Sequence, residues 1–264
     1  MDALTTVAKP TPLEVAPVLR VSGITAGYGD QPILREVSLD VQLGEWVTLL
    51  GPNGSGKSTL LYCIAGMLRP MAGEIEVCGV ALARDARSAK RLLGCGCAPE
   101  SLPGLLTGRQ CLEVYAAAKG VREIDADVLD LMKAFALEPS LDQFVDTYSL
   151  GTRAKLAALL ALIAAPKLIV LDEAFNGLDP ASGRALKRHL RALVEARRVS
   201  VLLATHALDV VERYADRAAL LLCGRIVRVW SATELSGLRS SAQGLEEAIF
   251  GASEAHLAAM ENAI

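Results

Sequence analysis

An excess of positive charge, a bilayer-length apolar run, a zinc-ligand set and an internal repeat are all missing from this 264-residue chain. With 27 Lys and Arg against 30 Asp and Glu, the formal net charge is −3. That offers no basic footprint for DNA or RNA, and no nucleic-acid partner is expected. Cations near residues 184–198 alternate with leucines in GRALKRHLRALVEARR, which reads as a solvated helix face. The longest apolar run, residues 156–165, stops at Pro166-Lys167 and is too short to span a membrane. The opening stretch MDALTTVAKPTPLEVAP has three prolines and no apolar h-region. A loose tail over residues 1–17 is expected there, and a secretory signal is not. Six cysteines, at positions 63, 78, 95, 97, 111 and 223, are scattered among apolar neighbours. Cys95 and Cys97 lie in GCGC with no His or second Cys pair nearby, so all six read as reduced, buried thiols of a cytosolic protein.

What is present is a globular composition, 52% hydrophobic with 22% charged residues. This length allows one large core, or one core with a subdomain. VLRVSGITAGY and PILREVSLDVQL alternate as strands, and WVTLL reads as a buried strand entering a glycine-rich turn. A helix is expected to begin near Lys57, and EIEVCGVAL reads as one further strand. From about 103 to 150 the pattern turns helical, in TGRQCLEVYAAAKG and DADVLDLMKAFAL. The short β-branched runs KLIVLDE and VSVLLATH flank another helix, and ALLLCGRIVRVW reads as a hairpin. The expected fold is α/β, with a parallel-sheet core interrupted by a helical insert and followed by helices over residues 231–264.

Residues 51–59, Gly51-Pro52-Asn53-Gly54-Ser55-Gly56-Lys57-Ser58-Thr59, fit the spacing G-x-x-x-x-G-K-[ST] between a buried strand and an apolar helix. In that context backbone amides can cradle phosphate oxygens, and the helix N-terminus adds a positive dipole. Lys57 is expected to neutralise the β- and γ-phosphates of ATP, and the Ser58 hydroxyl to ligate Mg²⁺. The second piece is LIVLDEAFNGLDP, residues 168–180. Four apolar residues deliver Asp172 and Glu173 to a strand end, where ligands bind in open α/β sheets. Asp172 is expected at Mg²⁺, and Glu173 as the general base that polarises an attacking water.

With both pieces in order, the chain resembles the ATP-binding cassette (ABC) ATPases from Leu19 to Trp230. The resemblance implies a P-loop, RecA-like core with an antiparallel β portion. It also implies a helical subdomain at about 95–150 within an ATPase domain spanning 18–230. Tyr28 in GYGD resembles the aromatic that stacks on adenine, though a strand-end tyrosine is also compatible with the sequence. Asp179 in NGLDP resembles the D-loop aspartate and is equally suited to cap the helix that follows. His206 resembles the family's switch histidine, which contacts the γ-phosphate.

YSLGT, residues 148–152, stands where the family carries LSGGQ. In that family two cassettes pair head to tail, and the signature of one holds the nucleotide of the other. The resemblance therefore gives Ser149 and the Gly151 amide to a partner's ATP. Tyr148, Leu150 and Thr152 depart from the motif. Glu100 stands where the family has a glutamine that reaches Mg²⁺ and the attacking water. A carboxylate can bind the ion but donates a hydrogen bond only when protonated.

The segment SLPGLLTGRQCLEV resembles the surface on which a membrane subunit rests its coupling helix. One cassette without coiled-coil arm, zinc module or basic arm favours the ATPase subunit of a transporter over a soluble, non-transport ABC ATPase. TGRQCLEVYAAAKG, YSLGTRAKL and LEEAIF resemble bacterial exporters with a separate permease. The expected partners are that permease and a second cassette, in a homodimer or heterodimer on the cytoplasmic face of the membrane. The terminal helices are read as a cover over the core.

Overall fold

The computed structural model describes residues 16–96, 98–240 and 244–261. The expected tail falls mostly on residues 1–15, and Cys97 is also outside the described set. Strand β3 (Trp46–Leu50) is buried throughout and sits at the heart of a six-stranded sheet. Its order is β10-β9-β3-β8-β7-β6, built from β6 (Leu93–Gly96), β7 (Leu168–Asp172), β8 (Ser200–Ala204), β9 (Arg217–Leu222) and β10 (Arg225–Trp230). Every pairing is parallel except that of the edge strand β10 with β9. Both faces are covered, which is why the strands read as continuous apolar runs.

The period of two sorts each strand between two cores. Val47, Leu49, Val170, Leu202 and Leu221 face one side. There they meet α1 (Lys57–Ile64) and a smaller antiparallel sheet, order β2-β1-β4-β5. That sheet is β1 (Leu19–Tyr28), β2 (Gln31–Val41), β4 (Ala72–Val77) and β5 (Val80–Ala81). Trp46, Leu171, Leu203 and Leu220 face the other side. They pack with the helices α3 (Gly108–Lys119), α4 (Ala126–Ala134), α5 (Leu150–Leu162), α6 (Pro180–Glu195) and α7 (Leu208–Tyr214).

Two expectations need correction, for one physical reason. EIEVCGVAL is a hairpin, with β4 and β5 joined at Cys78-Gly79. Cys78 and Gly79 have φ of 50° and 76°, and Cys223 and Gly224 between β9 and β10 have 47° and 76°. Left-handed backbone at both central residues is the hairpin turn whose twist matches the strands. It also turns Cys78 and Cys223 out to solvent, so these two thiols are exposed. A short helix that the apolar pattern did not reveal, α2 (Ala86–Arg91), starts at an Asp85 cap on Ser88 N (3.0 Å). After β10, α8 (Ala232–Ser240) and α9 (Gly244–Glu261) bury Leu235 and Leu245 against the helical face of the core.

Candidate nucleotide site

The loop between β3 and α1 is shaped by contacts that exclude side chains. A Cβ on Gly51 would stand 2.3 Å from the Leu221 carbonyl oxygen and 2.7 Å from Ser55 Oγ. Gly56 caps α1 with no side-chain bond, which leaves the first-turn amides without an intrahelical or side-chain partner. Lys57 is buried and curls back to donate to the carbonyls of Gly51 (2.7 Å) and Pro52 (3.1 Å). Ser55 Oγ is buried with no hydrogen-bond partner. An orphaned hydroxyl beside free amides and a lysine ammonium fits a phosphate chain in chemistry and position.

Burial raises the Asp172 carboxyl above the usual carboxylate range, opposed by a hydrogen bond from Ser58, reinforced by Glu173 and opposed again by Lys57. A hydroxyl and a half-buried carboxylate are hard oxygen donors suited to Mg²⁺. Among the described residues no three or more His, Cys, Asp or Glu side chains form a metal cluster. Glu100, exposed on a single 3-10 turn (Pro99–Ser101), shares a cavity of about 540 Å³ with Ser58, Asp172 and Glu173 without completing one. An ion here would draw its remaining ligands from phosphate oxygens and water.

Glu173 has a left-handed backbone, φ 45°, held by the hydrogen bond its amide donates to the Ala204 carbonyl (2.9 Å). Such strain persists where surrounding structure over-determines it. The carboxylate receives Thr205 Oγ1 at 2.9 Å, the His206 amide at 3.1 Å and His206 Nδ1 at 2.8 Å. Asn176 Nδ2 stands farther off, at 3.4 Å. With Nδ1–H directed at the carboxylate, Nε2 is the nitrogen left to meet a ligand, and the His206 side chain is 62% exposed.

Ser149 caps α5, accepting from the Thr152 amide (3.1 Å), with its Oγ 2.8 Å from Thr152 Oγ1. A Cβ on Gly151 would approach the Gly177 carbonyl oxygen to 2.9 Å, so the helix start lies directly on the turn that carries Asp179. Tyr148 is a packing residue, its hydroxyl donating to the Ser140 carbonyl at 2.5 Å. Asp179 caps α6 through the amides of Ala181 (3.1 Å) and Ser182 (2.9 Å), and its second oxygen meets Lys155 Nζ at 2.9 Å. Lys155 belongs to the same short motif region, YSLGTRAK, but its partner is 24 residues on and no local pattern announces it.

Tyr28 is exposed at the tip of the β1–β2 hairpin and does not line the cavity. The hairpin itself leans on the loop, since Ile33 and Leu34 of β2 lie against Gly56. The structure thus gathers Ser55, Lys57, Ser58, Asp172, Glu173 and His206 around one loop and the ends of two paired strands, β7 and β8. Ser149, Gly151 and Asp179 form a second surface at the start of α5.

The chain matches the family profile described as ABC transporter over residues 34–176. It belongs to the ABC transporter family. Within that family it is an ATP-binding, ATP-hydrolysing cassette. It is 36% identical over 212 residues to "Uncharacterized ABC transporter ATP-binding protein YdbJ" of Bacillus subtilis (strain 168), covering 80% of this chain and 68% of that one. It is 38% identical over 219 residues to "Nod factor export ATP-binding protein I" of Rhizobium meliloti (strain 1021), covering 82% and 64%. The chain therefore spans about two thirds of the length of these curated relatives. A solved "ATP binding subunit of ABC transporter" superposes with TM-score 0.80 at 31% identity, covering 89% of this chain and 99% of that one. "Dimeric Structure of MJ0796, a Bacterial ABC Transporter Cassette" gives TM-score 0.73 at 25% identity, covering 81% and 98%.

Proposed function

We propose that this cassette drives export through a separate membrane permease, hydrolysing ATP at sites it shares with a second cassette. The observation that carries the reading is the pairing of Glu173 with His206 on a cavity that also holds Ser58 and Asp172. Lys57 leaves its two loop carbonyls for the phosphates, and Ser55 Oγ gains the acceptor it lacks. Ser58 and Asp172 would hold Mg²⁺, which would offset charge on the phosphate oxygens. Asn176 is the weakest of the four donors on Glu173, and its position is the one an attacking water takes. Glu173 then accepts the water's proton, while His206 Nε2 faces the terminal phosphate. Tyr28 covers the adenine.

Ser149 and the Gly151 amide face the nucleotide of the second cassette, with Asp179 beside them. The permease rests on the loop after Glu100. That placement is supported by Leu105 at 85% exposed, next to the exposed Phe144 on the adjoining segment, where Thr107 and Phe144 form an isolated bridge. The export direction draws on the relatives named for Nod factor export. Magnesium as the ion, a homo- or heterodimeric pair of cassettes and the cytoplasmic membrane face belong to the same proposal.

Co-expression with the permease tests the reading. The chain should co-purify with the membrane subunit through detergent extraction, and chelating magnesium should stop hydrolysis without releasing the complex. An ATP-hydrolysing chain that never co-purifies with the co-expressed membrane subunit contradicts the transport role.

A further inference from the structure

Five cations of one stretch, Arg69, Arg84, Arg87, Lys90 and Arg91, are exposed, and none forms an ion pair with a carboxylate among the described residues. Helix α2 turns only Ala89 inward and points Arg87, Lys90 and Arg91 outward. Asp85, the acid just before the helix, accepts from Ser88 N at 3.0 Å. The other acids of the stretch, Glu74 and Glu76, lie in the antiparallel sheet on β4 opposite Ser22 and Arg20, and Glu76 is paired with Arg20.

The helix is fastened to the turn that follows α1, because Lys90 Nζ donates to the Gly66 carbonyl at 3.0 Å. That turn and the end of α1 expose three large apolar side chains, Tyr62 at 39%, Met67 at 65% and Met71 at 48%. Helix α2 and the turn that exposes Met67 are thus tied together through Lys90. Tyr62 and Met67 line the same cavity as Glu100, which precedes the loop proposed to carry the permease, so this face adjoins that site.

We propose that this face rests on the anionic phospholipid headgroups of the membrane, with the methionines entering the headgroup boundary. A chain of net charge −3 is repelled by an anionic surface unless its cations are sorted to one side. Sorted cations near such a surface are attracted individually, and exposed apolar side chains add a contribution that salt does not screen. The assignment of this face as membrane-proximal rests on the proposed transport role, but vesicles without permease or nucleotide test it separately.

The full chain is sedimented with vesicles of phosphatidylcholine alone or mixed with phosphatidylglycerol. Binding should be at least about tenfold stronger on the mixed vesicles and should fall steeply between roughly 0.1 and 0.5 M salt, as the screening length shortens. The triple variant Arg84→Gln, Arg87→Gln, Arg91→Gln should lose most of that binding while keeping its affinity for a fluorescent ATP analogue. Met71→Ser should weaken the residue of binding that persists in high salt. Equal binding to both vesicles, no binding to either, or full binding by the triple variant overturns the proposal. Loss of permease co-purification in the triple variant, with no vesicle binding by the unmodified chain, assigns the face to the permease and overturns it equally.

Discussion

Lys155 Nζ sits 2.9 Å from Asp179 Oδ2 and 3.1 Å from the Phe135 carbonyl oxygen. One ammonium, on a side chain 19% exposed, therefore ties together the end of α4, the start of α5 and the turn before α6. The Lys155 partner and the Ser182 bonds hold the Asp179 carboxyl well below the usual carboxylate range. Lys155→Met should let the signature surface and the Asp179 turn drift apart. Hydrolysis should fall on the order of 10- to 100-fold, the effect of a small misplacement of positioned groups. Affinity for ATP on the chain's own loop should hold, and Lys155→Arg should restore most of the rate. Unchanged turnover in Lys155→Met, measured by phosphate release, contradicts the positioning role.

Glu173→Gln keeps the shape of the group that Thr205 and His206 hold, but removes the proposed proton acceptor. Turnover should drop by roughly 10²–10⁴, the range for loss of a general base. Nucleotide affinity should be retained, and gel filtration with ATP should show a doubled mass because bound ATP is no longer consumed. Near-normal turnover would mean that another group takes the proton.

Burial pushes the Cys63 thiol up to about 11, so roughly one molecule in a thousand carries the thiolate at pH 8. Cys111 is buried as well, while Cys78 and Cys223 sit exposed at hairpin turns. Brief iodoacetamide treatment of the native protein, mapped by mass spectrometry, should label Cys78 and Cys223 and spare Cys63 and Cys111. Labelling of Cys63 at the rate of Cys223 contradicts the burial described for α1.

The parts legible in the sequence are those whose chemistry is local. GPNGSGKST needs only its own spacing and the strand before it, and WVTLL, LIVLD and SVLLA announce a sheet buried on both faces. Asp179 caps the helix that its place before Pro180 suggested. The illegible parts depend on partners far along the chain. Nothing in LLATH says that His206 Nδ1 turns to Glu173, 33 residues earlier. YSLGT reads as three departures from a motif, yet Tyr148 is a packing anchor for the 3-10 turn near Ser140. The Cys78-Gly79 turn is not legible because an apolar cysteine following the alternating EIEV looks like more strand, and only the backbone at Cys78 shows the reversal. The hairpin at Cys223-Gly224 is legible in its sequence.

The central claim is that each nucleotide is held by two chains, and mixed dimers test it most directly. Lys57→Ala removes the phosphate-loop cation, and Ser149→Arg fills the surface offered to the partner. Each variant alone forms dimers with both sites damaged. Pairing the two puts both lesions in one site and leaves the other whole. With Glu173→Gln in both chains to prevent turnover, differently tagged heterodimers should trap about one ATP each, and either variant alone almost none. Heterodimers that trap no more ATP than the separate variants would show that Ser149 serves only its own chain as a helix cap.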